Sequence, residues 1–184
     1  MTWVQRSRVP AGFFFASIYL YFCQPRPAFF AVGLALAASG LALRIWASGH
    51  IEKGTRLAVQ GPYQWTRNPL YLGSLLMGLG FTLAGATLWL LALFLVLFLI
   101  IYIPVMRREE QELKQAFGHD YEAYRLQVPL LVPRLQTRAA DEELLEAGGE
   151  RNFQWHRVIL NREYKAVIGF LVVSLWVGMK MLWK

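Results

Sequence analysis

Five apolar segments alternate with short polar stretches along the 184 residues of this chain. The first is the shortest, and each of the other four has about 18–20 residues, close to the ~20 that an α-helix needs to cross the hydrocarbon core of a bilayer. In chain order the segments are 9–22, 28–47, 70–87, 88–106 and 166–183. The pattern predicts an all-α fold: a polytopic membrane helix bundle with about five transmembrane helices, forming a single membrane domain over residues 1–184.

The first apolar segment follows Arg6 and Arg8, a flank that also precedes cleaved signal peptides. No small-x-small cleavage site comes after it, because the next residues read CQPRP at 23–27. We therefore expect a retained helix that pairs with the second helix through this proline-rich turn.

The third and fourth segments are separated only by residues 85–87, which read Gly-Ala-Thr and carry no charge. So short a connection predicts a tight helical hairpin, whose two outer ends return to the same side of the membrane. Small residues four apart, such as Gly80 and Ala84, suit close contact between membrane helices.

A polar segment is predicted beyond the hairpin, over residues 107–135. Its first part has the pattern of an amphipathic helix that begins at Met106, and Gly118 is expected to stop that helix. Pro129 and Pro133 are expected to keep the rest of the segment extended.

Charge is scarce and unevenly placed. Only 17% of the residues are charged, below the ~25% that is typical of soluble domains. Five crossings would place the N-terminus, 48–69 and 107–165 on one side of the membrane. That side holds 16 of the 19 lysines and arginines when Arg44, at the end of the second segment, is counted with it; the other three are Arg26, Lys180 and Lys184. The asymmetry predicts a cytoplasmic N-terminus and a C-terminus outside.

The net charge of +7 is therefore first a topological signal, with attraction to anionic lipids as an additional effect. No basic-aromatic face or nucleic-acid-binding motif accompanies it, so no nucleic-acid partner is predicted. The protein is expected in a membrane, with residues 136–165 as a cytoplasmic connection to the last helix.

Three polar and aromatic clusters are predicted to converge on the cytoplasmic face. The sequence GPYQWTRNPLYLGS (61–74) opens the hairpin, RREE (107–110) ends it, and FGHDYEAYRLQVPLLVPR (117–134) follows. Polar groups that converge beside an apolar bundle are the usual form of a ligand site.

Each cluster also has a structural interpretation. Asn68 and Pro69 suit the first turn of a helix, where asparagine caps free N–H groups and proline needs no hydrogen-bond partner. Tyr71 could be an interfacial anchor. Glu109 and Glu110 could be the solvated start of a surface helix. A function is indicated only by the combination of the three clusters.

The three histidines, His50, His119 and His156, have no metal-ligand spacing, so no metal site is predicted. Taken alone, His50 is interpreted as a surface histidine.

The combined motifs resemble one family. A G-P-Y turn, an R-N-P-x-Y-x-G sequence at 67–73, an E-E pair about 40 residues later and F-G-x-x-Y-x-x-Y before V-P are similar to the integral membrane methyltransferases. That family includes isoprenylcysteine carboxyl methyltransferase and phosphatidylethanolamine N-methyltransferases. The resemblance covers roughly residues 40–135. It implies S-adenosyl-L-methionine as cofactor and a lipid substrate that enters from the bilayer. Together with the charge asymmetry, we expect an integral protein of the cytoplasmic membrane of a prokaryote, with its active site facing the cytoplasm.

The resemblance also implies roles for particular residues. The carboxylates of the Glu pair can hold the cofactor's ammonium or ribose hydroxyls, and a helix N-terminus with Asn68 can receive its carboxylate. The implied catalytic residues are Arg67, Glu109, Glu110 and His50. The implied cofactor-binding residues are Asn68, Pro69, Tyr71, Gly73, Glu109, Glu110, Tyr121 and Tyr124. Residues 107–135 would then cover the cofactor.

Two branches of the family are mixed in this sequence. The prenylcysteine branch has His where this chain has Asn68, whereas the N-P-x-Y-x-G-S pattern at 68–74 is similar to the phospholipid branch. Arg67 and His50 lean toward the prenylcysteine branch. A phospholipid amine is the favoured acceptor, and a prenylcysteine carboxylate is the alternative. A non-catalytic membrane scaffold or transporter subunit is the alternative of another class, and homo-oligomerisation stays open.

Overall fold

The computed structural model describes residues 3–52, 56–133 and 152–183, with the backbone alone at 3–9 and 11. Within these ranges the regular elements are helices, and the all-α prediction is confirmed. Most of the predicted connection 136–165, from residue 136 to residue 151, lies outside the described residues.

Six α-helices make up the described chain: α1 Trp3–Phe22, α2 Pro27–Ser48, α3 Pro69–Ala84, α4 Leu88–Gln127, α5 Trp155–Leu160 and α6 Tyr164–Leu182. A single turn of 3-10 helix covers Gly61–Gln64. Among the described residues α2, α4 and α6 are long and apolar enough to cross a membrane, while Gly12–Phe22 and α3 are shorter apolar helices. Three of the five predicted crossings thus have the full length, and the five-crossing topology stays a prediction.

Large apolar side chains point outward from these helices. Leu88 is 81% exposed, Phe13 72% and Leu175 67%. A soluble protein seldom exposes so much contiguous apolar surface, because water makes that exposure unfavourable. The outward-facing residues are those expected of helices surrounded by lipid.

The chain falls into two compact units. The first consists of Met1–Leu41, Ser74–Met106 and Lys165–Lys184. The second consists of Ala42–Gly73 and Arg107–Tyr164, and every predicted site residue belongs to it.

In the first unit, glycines allow α2 and α3 to approach closely. A Cβ atom added at Gly33 would collide with the backbone of Gly80 and Ala84, and one added at Gly80 would collide with the backbone of Ala37 and Gly33. Gly80 and Ala84, the small pair noted in the sequence, therefore lie at a helix–helix contact, where small side chains let two backbones approach.

The predicted hairpin is present in the first unit. Helix α3 ends at Ala84 and α4 begins at Leu88, with Ala86 in the left-handed region at φ 48°. The amide of Gln24, in the α1–α2 turn, donates to the carbonyl of Gly85 at 2.8 Å. Both tight turns therefore lie at the same end of this unit.

The polar segment after the hairpin differs from its prediction in two ways. No separate helix begins at Met106, because α4 runs on from Leu88 as far as Gln127. Gly118 does interrupt the helix, with φ 52° and ψ −117°, but the chain turns helical again after it. Glycine alone adopts such a backbone conformation without strain. Tyr121 and Tyr124 consequently lie on a helix rather than on extended chain.

A small apolar core supports the second unit. It consists of Leu57, Val59, Tyr121, Tyr124 and Val128. Both tyrosines are almost fully buried, at 1% and 3% exposure. The last turns of α4 are thus held against the loop that follows α2.

Candidate functional site

The turn before α3 is tied to the chain that follows α4. The amide of Arg67 donates to the carbonyl of Pro129 at 2.9 Å, and the Thr66 hydroxyl donates to the Leu130 carbonyl at 3.2 Å. The Asn68 side chain donates to the same Leu130 carbonyl, with 3.0 Å between Nδ2 and O. Asn68 therefore joins two segments through its amide nitrogen. A helix cap would use its Oδ1 atom instead, so the capping role stays a prediction.

Pro69 is the first residue of α3 and is buried, as is Gly73 one turn later. A proline suits this position because its missing N–H would have no helical partner there. Neither side chain offers a polar group, so any contact of these two residues with a ligand is made through backbone atoms or shape.

Three side chains form what we call the arginine cluster: Arg67, Glu110 and Tyr121. Nη1 of Arg67 donates to Oε1 of Glu110 as an ion pair, with the two side chains 12% and 22% exposed. The Tyr121 hydroxyl lies 3.4 Å from both Arg67 Nη1 and Glu110 Oε1. Burial raises the pKa of Tyr121, although the hydrogen bond from Arg67 opposes the rise. The hydroxyl therefore stays neutral and can donate.

Tyr71 and Glu109 form a second pair, and Glu109 is the residue next to Glu110 of the arginine cluster. The Tyr71 hydroxyl donates to Oε1 of Glu109 at 2.6 Å, joining the first turn of α3 to α4. Charge-assisted hydrogen bonds of this length are among the stronger ones in proteins. The structure thus gives each glutamate of the E-E pair a different partner, Tyr71 for Glu109 and Arg67 for Glu110.

His50 lies elsewhere in the second unit. Its Nδ1 is 2.9 Å from the carbonyl of Trp46, and since a carbonyl only accepts, the proton is on Nδ1. The other edge of the ring faces Gly61, where an added Cβ would collide with Nε2. The ring also packs against Phe153. These contacts hold His50 in the loop after α2, and its partners do not include either glutamate.

Tyr124 has a structural contact in the core of the second unit. Its hydroxyl donates to the backbone carbonyl of Tyr63 at 2.7 Å, and burial raises its pKa. Its ring is tilted against Tyr121 with 6.3 Å between centroids. Stacking on a cofactor would require this buried ring to become accessible.

A buried ion pair was missed by sequence reasoning. Arg44 binds Glu163 through two hydrogen bonds of 3.0 and 2.8 Å, and it also donates to the Leu70 carbonyl at 3.2 Å. The Glu163 side chain is only 6% exposed. The signal in the sequence is a positive charge, Arg44, near the end of the second apolar segment and a negative charge, Glu163, just before the fifth. Asn161 adds a bond to the Ser48 carbonyl at 2.9 Å, so the 152–164 segment is docked on the end of α2.

A cavity of about 470 Å³ opens beside Arg67. Its lining combines two guanidinium groups with a mainly apolar wall: Arg67, Arg125, Leu126, Gln127, Val128, Pro129, Val132 and Pro133. Nε of Arg67 is buried and has no hydrogen-bond partner among the described residues. Such a cavity suits a molecule with an anionic group and an apolar body.

Replacing Asn68 by Asp is expected to separate three roles of this residue. Asp caps a helix as well as Asn, but it cannot donate to the Leu130 carbonyl, so we expect a loss of ~0.5–1.5 kcal/mol in the free energy of unfolding. Thermal unfolding of the detergent-solubilised variant measures this. Unchanged stability with normal kinetics would favour the cap, and unchanged stability with a raised cofactor constant would favour direct binding of the cofactor carboxylate.

In the part of the chain that the structure describes, no three His, Cys, Asp or Glu side chains come together as a metal-ion group.

Two curated bacterial proteins are similar to this chain. One is the cobalt-zinc-cadmium resistance protein CzcN of Cupriavidus metallidurans, 33% identical over 56% of this chain and 47% of its own length. The other is the nickel-cobalt-cadmium resistance protein NccN of Alcaligenes xylosoxydans xylosoxydans, 29% identical over 66% of this chain and 57% of its own length.

The chain thus spans about half the length of the curated relatives it matches. No solved structure matches it significantly. The model of one protein family, described as phospholipid methyltransferase, matches residues 28–120. This range contains the hairpin, Arg67, Asn68 and both glutamates of the E-E pair. The chain belongs to the phospholipid methyltransferase family.

Proposed function

We propose that this protein is an integral membrane methyltransferase that uses S-adenosyl-L-methionine and methylates a lipid-soluble acceptor. The observation that carries the proposal is the pairing of the E-E carboxylates with the R-N-P-x-Y motif. Glu110 contacts Arg67 and Glu109 contacts Tyr71, although these partners are 43 and 38 residues apart in the chain. Family membership supports the same reaction class.

The donor set of the second unit fits the cofactor. Two carboxylates, Glu109 and Glu110, would hold its ammonium and ribose hydroxyl groups through charge-assisted hydrogen bonds. The N-terminus of α3, beginning at Pro69, presents backbone N–H groups that would receive its carboxylate. Tyr71 supplies an aromatic face for a cation.

When bound, S-adenosyl-L-methionine supplies a methyl group carried on a sulfonium. The task of the protein is then to hold an acceptor about 3–3.5 Å from that methyl group, in line and away from water. The arginine cluster and the cavity beside it would position the acceptor. The segment that follows α4 would exclude water, since Arg67 and Asn68 bind its carbonyl groups.

The favoured acceptor is the amine of a phospholipid, phosphatidylethanolamine or its methylated forms. The cavity beside Arg67 combines arginines with apolar side chains, which suits a lipid with an anionic phosphate. The planar guanidinium of Arg67 can bind two phosphate oxygens. A prenylcysteine carboxylate would fit the same two features and is the second candidate. By the distribution of basic residues, the site faces the cytoplasm.

Incubating the purified protein in lipid nanodiscs with methyl-labelled cofactor tests the proposal. We expect label in a phospholipid that migrates with a methylated phosphatidylethanolamine on thin-layer chromatography. Titration with S-adenosylhomocysteine separates the enzyme from a scaffold, because a scaffold has no reason to bind it. If folded protein does not bind S-adenosylhomocysteine, the proposal that it is a methyltransferase is refuted.

The pH dependence of the single-turnover rate distinguishes the two acceptors. A phospholipid amine has a pKa near the ~10.4 of a lysine and must lose its proton before attack, so the rate should rise with pH through the neutral range. A carboxylate is already ionised above pH ~5, so the single-turnover rate of its methylation should be nearly constant between pH 6 and 9. Glu109 and Glu110, with His50, are the proposed acceptors of the amine proton. A flat profile with a phospholipid substrate would refute this role.

A further inference from the structure

We propose that Arg125 is a second anion-binding residue of the site and that, with Arg67, it holds the phosphate of the lipid acceptor. The proposal rests on the methyltransferase function and names a residue that selects the acceptor. The group recognised is an oxoanion. The phosphate of the acceptor is the favoured source of this group, and the carboxylate of the cofactor is the other source.

Arg125 and Arg67 line the same cavity of about 470 Å³ in the second unit. Arg67 lies in the turn before α3, and Arg125 lies in the last turn of α4. The other residues that line the cavity are uncharged: Leu126, Gln127, Val128, Pro129, Val132 and Pro133. Two guanidinium groups, with no carboxylate among the described lining residues, favour an anionic ligand.

Part of the Arg67 guanidinium is available to such a ligand. Its Nη1 donates to Glu110 and lies near the Tyr121 hydroxyl. Its Nε is buried and has no hydrogen-bond partner among the described residues. An unpaired buried donor is unfavourable, because it loses its hydrogen bond to water without a replacement. An oxygen of a ligand in the cavity would supply the missing acceptor.

Arg125 is held only loosely by the rest of the chain. Its Nε lies 3.3 Å from Oε2 of Glu122, which is longer than the ~2.7–2.9 Å of a strong charge-assisted hydrogen bond. Glu122 also pairs with Lys114, so one carboxylate is shared between two cations. The Arg125 side chain is 49% exposed. Its guanidinium can therefore bind a ligand without breaking a buried contact.

The apolar part of the lining indicates that the anion belongs to a lipid. Leu126 is 81% exposed and Val132 is 76% exposed, although both side chains are apolar. Their exposure to water is unfavourable, and they line the cavity together with the two arginines. A phospholipid would satisfy both features, with its phosphate on the guanidinium groups and its glycerol and acyl carbons on Leu126 and Val132.

Two guanidinium groups in one cavity suit a phosphate better than a carboxylate. The two oxygens of a carboxylate lie in one plane and match the planar fork of a single arginine. The oxygens of a phosphodiester are arranged as a tetrahedron, so two arginines from different elements can bind it from different sides. Arg125 thus distinguishes a phospholipid acceptor from a prenylcysteine carboxylate.

Replacing Arg125 by Gln tests the inference, because it removes the charge and keeps a polar side chain. We expect KM for phosphatidylethanolamine to rise about 10-fold, the effect of losing one charge-assisted hydrogen bond. KM is measured in nanodiscs whose host lipid is a glycolipid, since a phosphate in the host lipid would compete for the site. The dissociation constant of S-adenosylhomocysteine and the melting temperature should stay unchanged.

Arg108→Gln is the matched control. Arg108 also lies on α4 and also pairs with a nearby glutamate, Glu112, and its side chain is 37% exposed. It is not among the residues that line the cavity. We expect Arg108→Gln to leave KM for phosphatidylethanolamine unchanged. An equal rise of KM in both variants would show a general effect of surface charge and would overturn the inference.

Binding of the acceptor is also measured without turnover. A soluble short-chain phosphatidylethanolamine is titrated into the detergent-solubilised protein, and a short-chain diacylglycerol serves as the analogue that lacks the phosphate. Arg125→Gln should weaken binding of the phospholipid about 10-fold and leave binding of the diacylglycerol unchanged. Equal weakening of both would contradict a contact between Arg125 and the phosphate.

Wild-type protein keeps the two proposals distinguishable. If wild-type protein fails to bind S-adenosylhomocysteine, the proposed function fails. If wild-type protein binds it and Arg125→Gln changes neither its dissociation constant nor KM for the phospholipid, only the inference about Arg125 is overturned. A raised dissociation constant for S-adenosylhomocysteine with unchanged KM would assign the oxoanion to the cofactor and overturn its assignment to the acceptor.

Discussion

Replacing Arg44 by Met should lower the free energy of unfolding by ~3–5 kcal/mol, because it leaves the Glu163 carboxylate buried without its cation. Glu163 is 6% exposed at its side chain, and Arg44 supplies two of its hydrogen bonds. Arg44 also binds the Leu70 carbonyl, in the first turn of α3. Unfolding of the purified protein in mixed micelles by a denaturing detergent measures the change.

The double variant Arg44→Met with Glu163→Met should recover most of that loss. A buried ion pair replaced as a whole by apolar side chains is often neutral, whereas a broken pair is not. Arg108→Met is the matched control, because its partner Glu112 is 57% exposed and a surface pair contributes only ~0–1 kcal/mol. Equal losses in Arg44→Met and Arg108→Met would contradict the buried-pair interpretation.

Replacing Glu110 by Ala should weaken binding of S-adenosylhomocysteine by ~10–150-fold, the effect of losing a charge-assisted hydrogen bond worth ~1.5–3 kcal/mol. Glu109→Ala should have an effect of the same order if Glu109 contacts the cofactor directly. The measurement is isothermal titration of protein in nanodiscs. Because both residues have partners within the chain, the melting temperature of each variant is measured alongside.

Glu112→Ala provides the control on the same helix. Glu112 is exposed and pairs with Arg108 four residues earlier, so its loss should change cofactor affinity less than 2-fold, in line with the small effects of surface pairs. Unchanged affinity in both Glu109→Ala and Glu110→Ala, with folded protein, would remove the E-E pair from the cofactor site.

Much of the fold follows from hydrophobic segments and their lengths. The segment 28–47 corresponds to α2 at Pro27–Ser48, and 166–183 corresponds to α6 at Tyr164–Leu182. These boundaries are readable because Pro27 precedes the first of these runs and charged residues lie on both sides of the second. The predicted segment begins six residues after the start of α1, because Gln5, Arg6, Ser7 and Arg8 separate Trp3 and Val4 from the apolar run.

The course of the chain after the hairpin was harder to predict. An apolar run and an amphipathic run join without a break in α4, and only the continuous backbone shows them to be one helix. Gly118 was correctly predicted as an interruption, because glycine favours the left-handed region that the chain adopts there. That the helix resumes afterwards depends on Tyr121 and Tyr124, which are buried against Leu57 and Val59.

The sequence alone determined the type of molecule and the neighbourhood of its site. Apolar segments of bilayer length specify helices in a membrane, and the R-N-P-x-Y-x-G and E-E motifs specify which residues to compare with a methyltransferase family. Each of these signals is carried by residues that are close together in the chain, so it can be recognised without a structure.

Only the tertiary structure decided which polar groups meet. Arg67 pairs with Glu110 across 43 residues, and Arg44 pairs with Glu163 across 119. Asn68 binds the Leu130 carbonyl through its amide nitrogen, a contact that its sequence position did not indicate. The buried hydroxyl of Tyr63 has no hydrogen-bond partner among the described residues. A charged or polar side chain takes the partner that folding brings within hydrogen-bond distance, and that distance depends on how helices far apart in the chain pack together.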